Sequence, residues 1–344
     1  MKQMKKLMTA AVAVVMALIM PACAAQTDLA EAGELAALFP LMPDTLITYT
    51  VDGMESPGTR MIYNTYISGN RAQRMINASH FPPSLEIIEV GSDQVRLIFG
   101  DPFHYNVENL TGVSPTLDFV ILQAPIEVGT SWSNGLETSQ ITAVDAEVET
   151  PLGTFTAVQV TTVTPSGFEE RYYYAPGVGL VKSVHPNEIG TFVVTLSSIE
   201  PNTPVDLPLF VLFPNIAENT MEIESRPLSA LTNTDLVPLL AEELSAPPSD
   251  DTLPLLPDAA VLNSIEIFRS ENIAHVDVAS RLSDWNYIGD GTIGAVFMAL
   301  ANTIGIFTEV NSVSFTMDGD TFEWGPIKLE AGDAVTVQDF SEIN

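Results

Sequence analysis

Residues 138–163 read TSQITAVDAEVET, then PLG, then TFTAVQVTTV. Two runs rich in Thr, Val and Ile flank Pro151-Leu152-Gly153. β-branched side chains pack well on a pleated surface, while Pro and Gly supply the turn, so the stretch reads as a two-strand hairpin. The same grammar extends in both directions. Thr45–Val51, Arg60–Ser68, Leu85–Val90, Val95–Phe99, Phe119–Leu122, Glu170–Tyr174 and Thr191–Ser198 are further strand-like runs, with turns at Ser68-Gly69-Asn70 and Pro165-Ser166-Gly167. Many short strands with turn signals between them predict an all-β N-terminal domain over residues 41–199, built as a half-barrel or a sandwich. In the run Tyr172-Tyr173-Tyr174 the outer two tyrosines share one face, which either lines a ligand cavity or, as is commoner for such aromatics, packs a core.

Glu200 to Leu207 carries two prolines and no periodicity and reads as a linker. Beyond it the pattern mixes strands and helices. Leu209–Phe213 is a strand. Leu236, Leu239, Leu240 and Leu244 fall on one helical face between Thr234 and Leu244, with Pro238 in the first turn. Val261–Arg269 with Ile273–Val278, and Ser312–Met317 with Thr321–Trp324, read as hairpins. Ile293, Val296, Phe297, Leu300, Ala301 and Ile304 make an apolar stripe on a helix from Thr292, with Gly305 as its expected stop. Two domains are therefore expected, the second α+β over 208–325, followed by a C-terminal extension over 326–344.

The N-terminus carries Lys2, Lys5 and Lys6 and then an uncharged stretch from Leu7 to Met20. That is short for a bilayer span and suits the apolar part of a signal peptide. Ala22-Cys23 follows, and Cys23 is the single cysteine of the 344 residues. An exported protein usually pairs its thiols, so a lone one at the cleavage edge is expected to be lipidated. The reading is a lipoprotein signal peptide over 1–22, a diacylglyceryl anchor on Cys23 and a tether over 23–40, with a short helix within Asp28–Phe39. The protein is then exported and held on the outer face of the cytoplasmic membrane. One acyl chain binds a membrane marginally and two hold it stably.

The formal net charge is −31, and removing the three signal-peptide lysines takes it to about −34. Nucleic-acid binding needs Lys and Arg to neutralise phosphates, so no nucleic-acid partner is expected. Hydrophobic residues make up 46 % of the chain, too many for a disordered acidic tail.

Several constellations invite a chemical reading and lose it on context. Gly289-Asp290-Gly291-Thr292-Ile293-Gly294 matches G-x-G-x-x-G, but it follows the polar stretch Ser283–Tyr287 and not a buried strand, so shaping a loop and capping a helix through Asp290 or Thr292 is the better account. Asp318-Gly319-Asp320 resembles the start of a calcium loop but has Leu329 where the bidentate Glu belongs, which leaves a hairpin turn. His80, His104, His185 and His275 stand singly, so no metal site is expected. Glu169-Glu170 and Glu242-Glu243 are adjacent acids of the kind chance produces in so acidic a chain. No catalytic residue, cofactor site or metal ligand is assigned.

Val211-Leu212-Phe213-Pro214, then Met221, Glu224-Ser225-Arg226, Ala259–Ile267, Ile273–Ser280 and Val313–Gly319 resemble a GerMN domain, the sporulation and spore-germination module. The resemblance covers residues 208–325. Pro125–Trp132, Val148–Phe155 and Tyr172–Lys182 are similar to the β-rich module that precedes GerMN in Firmicute lipoproteins. The resemblance implies a non-catalytic envelope module that contacts envelope proteins or the cell wall. Two alternatives stand beside it. One is a lipoprotein that holds a lipid or small apolar ligand in its β domain; the other is an envelope hydrolase built on two acids.

Overall fold

The computed structural model describes residues 33–53, 57–79, 81–102 and 107–338. The signal peptide, Cys23, the first part of the tether, His80 and His104 lie outside the described residues. The described chain is mostly β with few helices.

A short helix α1 (Glu34–Leu38) comes first, followed by β1 (Thr45–Asp52), β2 (Gly58–Ser68), β3 (Arg71–Ala78), β4 (Phe81–Val90), β5 (Gln94–Pro102), β6 (Phe119–Gln123), β7 (Ser131–Asn134), β8 (Glu137–Thr150), β9 (Gly153–Val163), β10 (Glu169–Ala175), β11 (Gly179–Asn187) and β12 (Gly190–Pro201). Every strand-like run of the N-terminal part is among them. Three further strands carry no clear sequence signal. β3 contains two arginines, β7 is four residues long and β11 contains Pro186, so none shows the alternation of a half-buried strand.

All twelve strands form one sheet in the order β6-β5-β4-β3-β2-β1-β12-β11-β10-β9-β8-β7. The first and last strands pair at its centre, and two antiparallel meanders run outward from them. The sheet curls until its edges meet, so the domain is a nearly closed barrel and not a sandwich. At the seam, Trp132 Nε1 and Asn134 Nδ2 each donate to the Val120 carbonyl at 2.9 Å, and the Val120 N–H donates to Asn134 Oδ1 at 2.9 Å. These bonds cover the edge groups that would otherwise template another chain.

The register separates two barrel ends. Thr45 pairs with Pro201, and Gly179 lies at the same end of β11; Asp52 pairs with Val193, and Asn187 with Gly190, at the other. Helix α1 fills the first end. Its Leu35 and Leu38 are buried among Ile88, Val95, Leu122, Trp132 and Ile141, and the Gly177 N–H donates to the Ala37 carbonyl at 2.7 Å. Residues 33–40, read from sequence as the end of a tether, are thus built into the barrel core.

Downstream lie β13 (Val205–Leu207), β14 (Phe210–Asn215), β15 (Thr220–Ser225), β16 (Leu228–Ala230), α2 (Leu236–Ser245), β17 (Leu262–Phe268), β18 (Ile273–Val278), α3 (Asp290–Thr308), β19 (Ser312–Met317), β20 (Asp320–Trp324), β21 (Ile327–Leu329) and β22 (Val335–Thr336). The expected linker is partly strand, since β13 pairs with β16. β18 and β19 are parallel, with α3 as the crossover, and both expected hairpins are present. α2 is capped by the Asp235 carboxylate, which accepts from the Val237 N–H at 3.1 Å.

α3 departs from expectation at both ends. Gly289, and no Asp290 or Thr292 side chain, stands at its N-cap. It also runs through Gly305 to Thr308 and stops at Glu309, which adopts φ +55°. Gly305 is present for space: a Cβ there would lie 2.1 Å from Val337 Cγ2. α3 is long and apolar enough to cross a membrane, but β14, β18 and β19 pack against it and it forms the centre of the largest apolar cluster.

This part of the chain rests on the outer face of β2 and β3 near the plugged end. Thr232 Oγ1 accepts from the Asp44 N–H and donates to the Asn64 carbonyl, each at 2.7 Å. The Asn233 side chain bonds the Ile67 N–H and carbonyl at 2.9 and 3.0 Å. Tyr63 and Gln73 are buried beneath this cover.

Candidate functional site

The inner wall follows from the pairing. Tyr49 faces Arg60, Ile62 faces Ile76, Asn64 faces Arg74, and Arg74 faces Glu86. Residues directly opposite across antiparallel strands share a face, so two arginines and a glutamate point into the barrel beside tyrosines and aliphatics.

The interior is hollow in two lobes, each of about 230 Å³. The shallow lobe opens at the unplugged end and is lined by Val51, Gly58, Ile76, Ala78, Phe192 and Val194. The deep lobe is lined by Phe39, Leu41, Ile47, Ile62, Ile88, Leu97, Val160, Tyr172, Tyr174 and Leu180. Arg60 and Glu86 border both lobes. Apolar walls with a few convergent polar groups are the ordinary make-up of a small-molecule site.

The polar groups divide into satisfied and unsatisfied. Arg74 donates through Nε at 2.8 Å and Nη2 at 2.5 Å to Glu86 Oε2, and its guanidinium lies 5.5 Å from the Phe39 ring centre. Burial pushes the Glu86 carboxyl up, but Arg74 and, further off, Arg60 outweigh it and hold the group below its usual range. The Tyr49 hydroxyl donates to the Leu180 carbonyl at 3.0 Å, and burial drives its pKa up to about 12. The Arg60 guanidinium has neither a hydrogen bond nor an ion pair among the described residues, and the same holds for the Tyr174 hydroxyl. Burial, and then repulsion from Arg74, lower the pKa of Arg60, with Glu86 opposing.

A second polar group lies on the same wall. His185 Nε2 is 2.7 Å from Ser183 Oγ, and His185 Nδ1 is 3.3 Å from Glu170 Oε1. The Tyr172 hydroxyl donates to Glu170 Oε2 at 2.5 Å, and His185 stacks on Phe192 at 4.5 Å. A serine, a histidine and a carboxylate in this order resemble a hydrolytic triad. Two features oppose that chemistry. Ser183 is 1 % exposed, which leaves its oxygen no approach. β11 is also paired on both sides, by β10 and β12, so its backbone N–H groups serve the ladder and do not form an oxyanion hole. Burial, and then the bond to Glu170, raise the Tyr172 hydroxyl, while the His185 contact leads those that lower Glu170.

The candidates read from the sequence fall elsewhere. Glu169 and Glu170 are consecutive on β10 and so face opposite sides of the sheet. Glu242 is exposed, and Glu243 pairs with Arg226 at 3.3 Å. Asp318, at the turn between β19 and β20, accepts from Asn263 on β17 and from the Ser280 N–H just past β18. His275 is an exposed strand residue against Phe268. No group of three His, Cys, Asp or Glu suited to a metal occurs among the described residues. Tyr172 and Tyr174 do line a cavity. Arg60, Arg74 and Glu86 escape the sequence reading. Their available signal is arginine inside strand-forming runs of a chain with only 13 Lys and Arg.

Neither a family model nor a curated protein matches the chain. Among solved structures it is similar to an exported protein with a YmcC-like fold from Bacteroides fragilis, at 14 % identity and a TM-score of 0.30, over 47 % of this chain and 98 % of that one. A lipoprotein from Parabacteroides distasonis is similar at 13 % identity and a TM-score of 0.29, with the same coverage. At these scores the likeness bears no argument about function, which rests on the chain's own geometry.

Proposed function

We propose that this is a non-catalytic cell-envelope lipoprotein whose N-terminal barrel holds a small apolar ligand. The carrying observation is the two-lobed cavity inside the barrel, with α1 packed into one barrel end. The signal peptide and Cys23 supply the envelope location. The GerMN resemblance of residues 208–325 supports a two-domain layout in which the C-terminal α+β part meets envelope proteins or the cell wall. The ladder-locked, covered Ser183 speaks against hydrolysis within the barrel.

The test is a titration with N-phenylnaphthylamine, an uncharged apolar fluorophore, on the mature chain carrying Cys23→Ala to prevent acylation. Saturable binding is expected, together with its loss in Ile47→Trp, which fills the deep lobe. Equal binding by the filled variant, with an unchanged circular dichroism spectrum, would place the fluorophore elsewhere and defeat the reading.

A further inference from the structure

We infer that the barrel's ligand is an amphiphile with a carboxylate head, and that Arg60 is the residue that reads the head. This deepens the binding function proposed above and rests on it.

An ionised group removed from water is expensive unless paired. The interior solves this for Arg74 by pairing it with Glu86 and for Glu170 by giving it Tyr172 and His185. The Arg60 side chain is half-buried where the two lobes meet, and its guanidinium has no acceptor among the described residues. The nearest charges that bear on it are Arg74 and Glu86, and Glu86 is already engaged by Arg74, so the three-residue group is net positive. A cation on the cavity wall of a protein of net charge −31 is suited to receive an anion.

The geometry selects the kind of anion. A guanidinium presents parallel N–H groups that match a planar carboxylate. The Tyr174 hydroxyl, also without a partner among the described residues, borders the deep lobe and lies close enough for Arg60 and Arg74 to bear on its ionisation. Beyond Arg60 the deep lobe offers Ile62, Ile47, Ile88 and Leu97 to an alkyl chain, with the polar Glu137, Ser139 and Thr162 on the rest of its lining. A ligand entering tail-first through the shallow lobe would bring its head to Arg60 last.

Four probes on the mature Cys23→Ala chain, followed by calorimetry, decide the matter: dodecanoate, dodecanol, dodecylamine and acetate. Dodecanoate is expected to bind about tenfold or more tighter than dodecanol, as one charge-assisted contact implies. Dodecylamine should bind more weakly still, and acetate not measurably. Arg60→Met should remove the preference by weakening dodecanoate to the level of dodecanol, and Arg60→Lys should keep part of it. Equal binding of dodecanoate and dodecanol by the parent chain, or a preference that survives in Arg60→Met, would overturn the head-group assignment and leave the apolar-cavity reading standing. Tight binding of acetate alone would overturn the amphiphile. Failure of both twelve-carbon chains would remove the binding function itself, and this inference with it.

Discussion

Arg60 and Arg74 have the same side chain, stand on adjacent strands and differ in one respect, which is a partner. Arg60 is half-buried and unpaired, so removing it breaks no ion pair, whereas removing one member of a pair strands the other. Arg60→Met is therefore expected to leave stability unchanged or raised. Arg74→Met is expected to cost about 2–3 kcal/mol, below the figure for fully enclosed pairs because water reaches this one. Urea denaturation of the two variants checks the contrast, and equal losses would contradict the assignment of Arg60 as unpaired. Glu86 adds a pH signature. Its folded-state pKa lies below the ordinary glutamate value of 4.5, so its stabilisation is fully present above about pH 4.5 and is lost as the pH falls through the folded-state value. The stability gap between the parent and Glu86→Gln should accordingly be wide at pH 7 and narrow below pH 4.5. A gap independent of pH would mean that the Arg74 pair contributes little. None of this was legible in the sequence. An arginine in a strand-like run reads as solvent-facing, and only closure of the sheet turns that face inward.

At the scale of elements, legibility tracked how far local pattern and tertiary demand agreed. The hairpin over residues 138–163 appears as β8 and β9 because its β-branched residues and its turn residues ask for the same geometry. β3, by contrast, is held by neighbours on both sides, β2 and β4, with Arg74 turned inward to Glu86, and tertiary pairing overrides its weak local signal. Gly305 shows the reverse error. Glycine past an apolar stripe is a sound stop signal, yet here it marks a close approach, with the missing Cβ 2.1 Å from Val337. Gly305→Ala should destabilise by about 1–3 kcal/mol through overpacking against a stiff β-branched side chain. Val337→Ala in the same chain should recover most of that loss. If thermal unfolding shows the two changes to be additive, the contact is not the reason for the glycine.

At the scale of the molecule, the register sets the cavity mouth apart from the point where the described chain begins. The described chain enters at Gly33, passes through α1 and plugs the barrel end where β1 begins, and the Thr232 bridge seats the C-terminal part beside that end. The mouth lies at the opposite end, beside the turn carrying Ile189, which is 98 % exposed. β1 spans 8 residues, so the two ends are separated by about 26 Å at 3.3 Å per residue. On the proposed reading, the anchor and the mouth are independent parts. Cys23→Ala should move the processed protein from the membrane fraction to the soluble fraction, since α3, the one described helix long and apolar enough to cross a membrane, is packed into the core. It should leave the dissociation constant for N-phenylnaphthylamine within about twofold of the lipidated chain, a difference of about 0.4 kcal/mol. Fractionation and fluorescence titration of the same two preparations read both outcomes. Persistent membrane association of the processed variant would defeat the lipid anchor. A dissociation constant that rises strongly on release would mean instead that the mouth opens toward the bilayer, contrary to a chain whose N-terminal helix closes the other end.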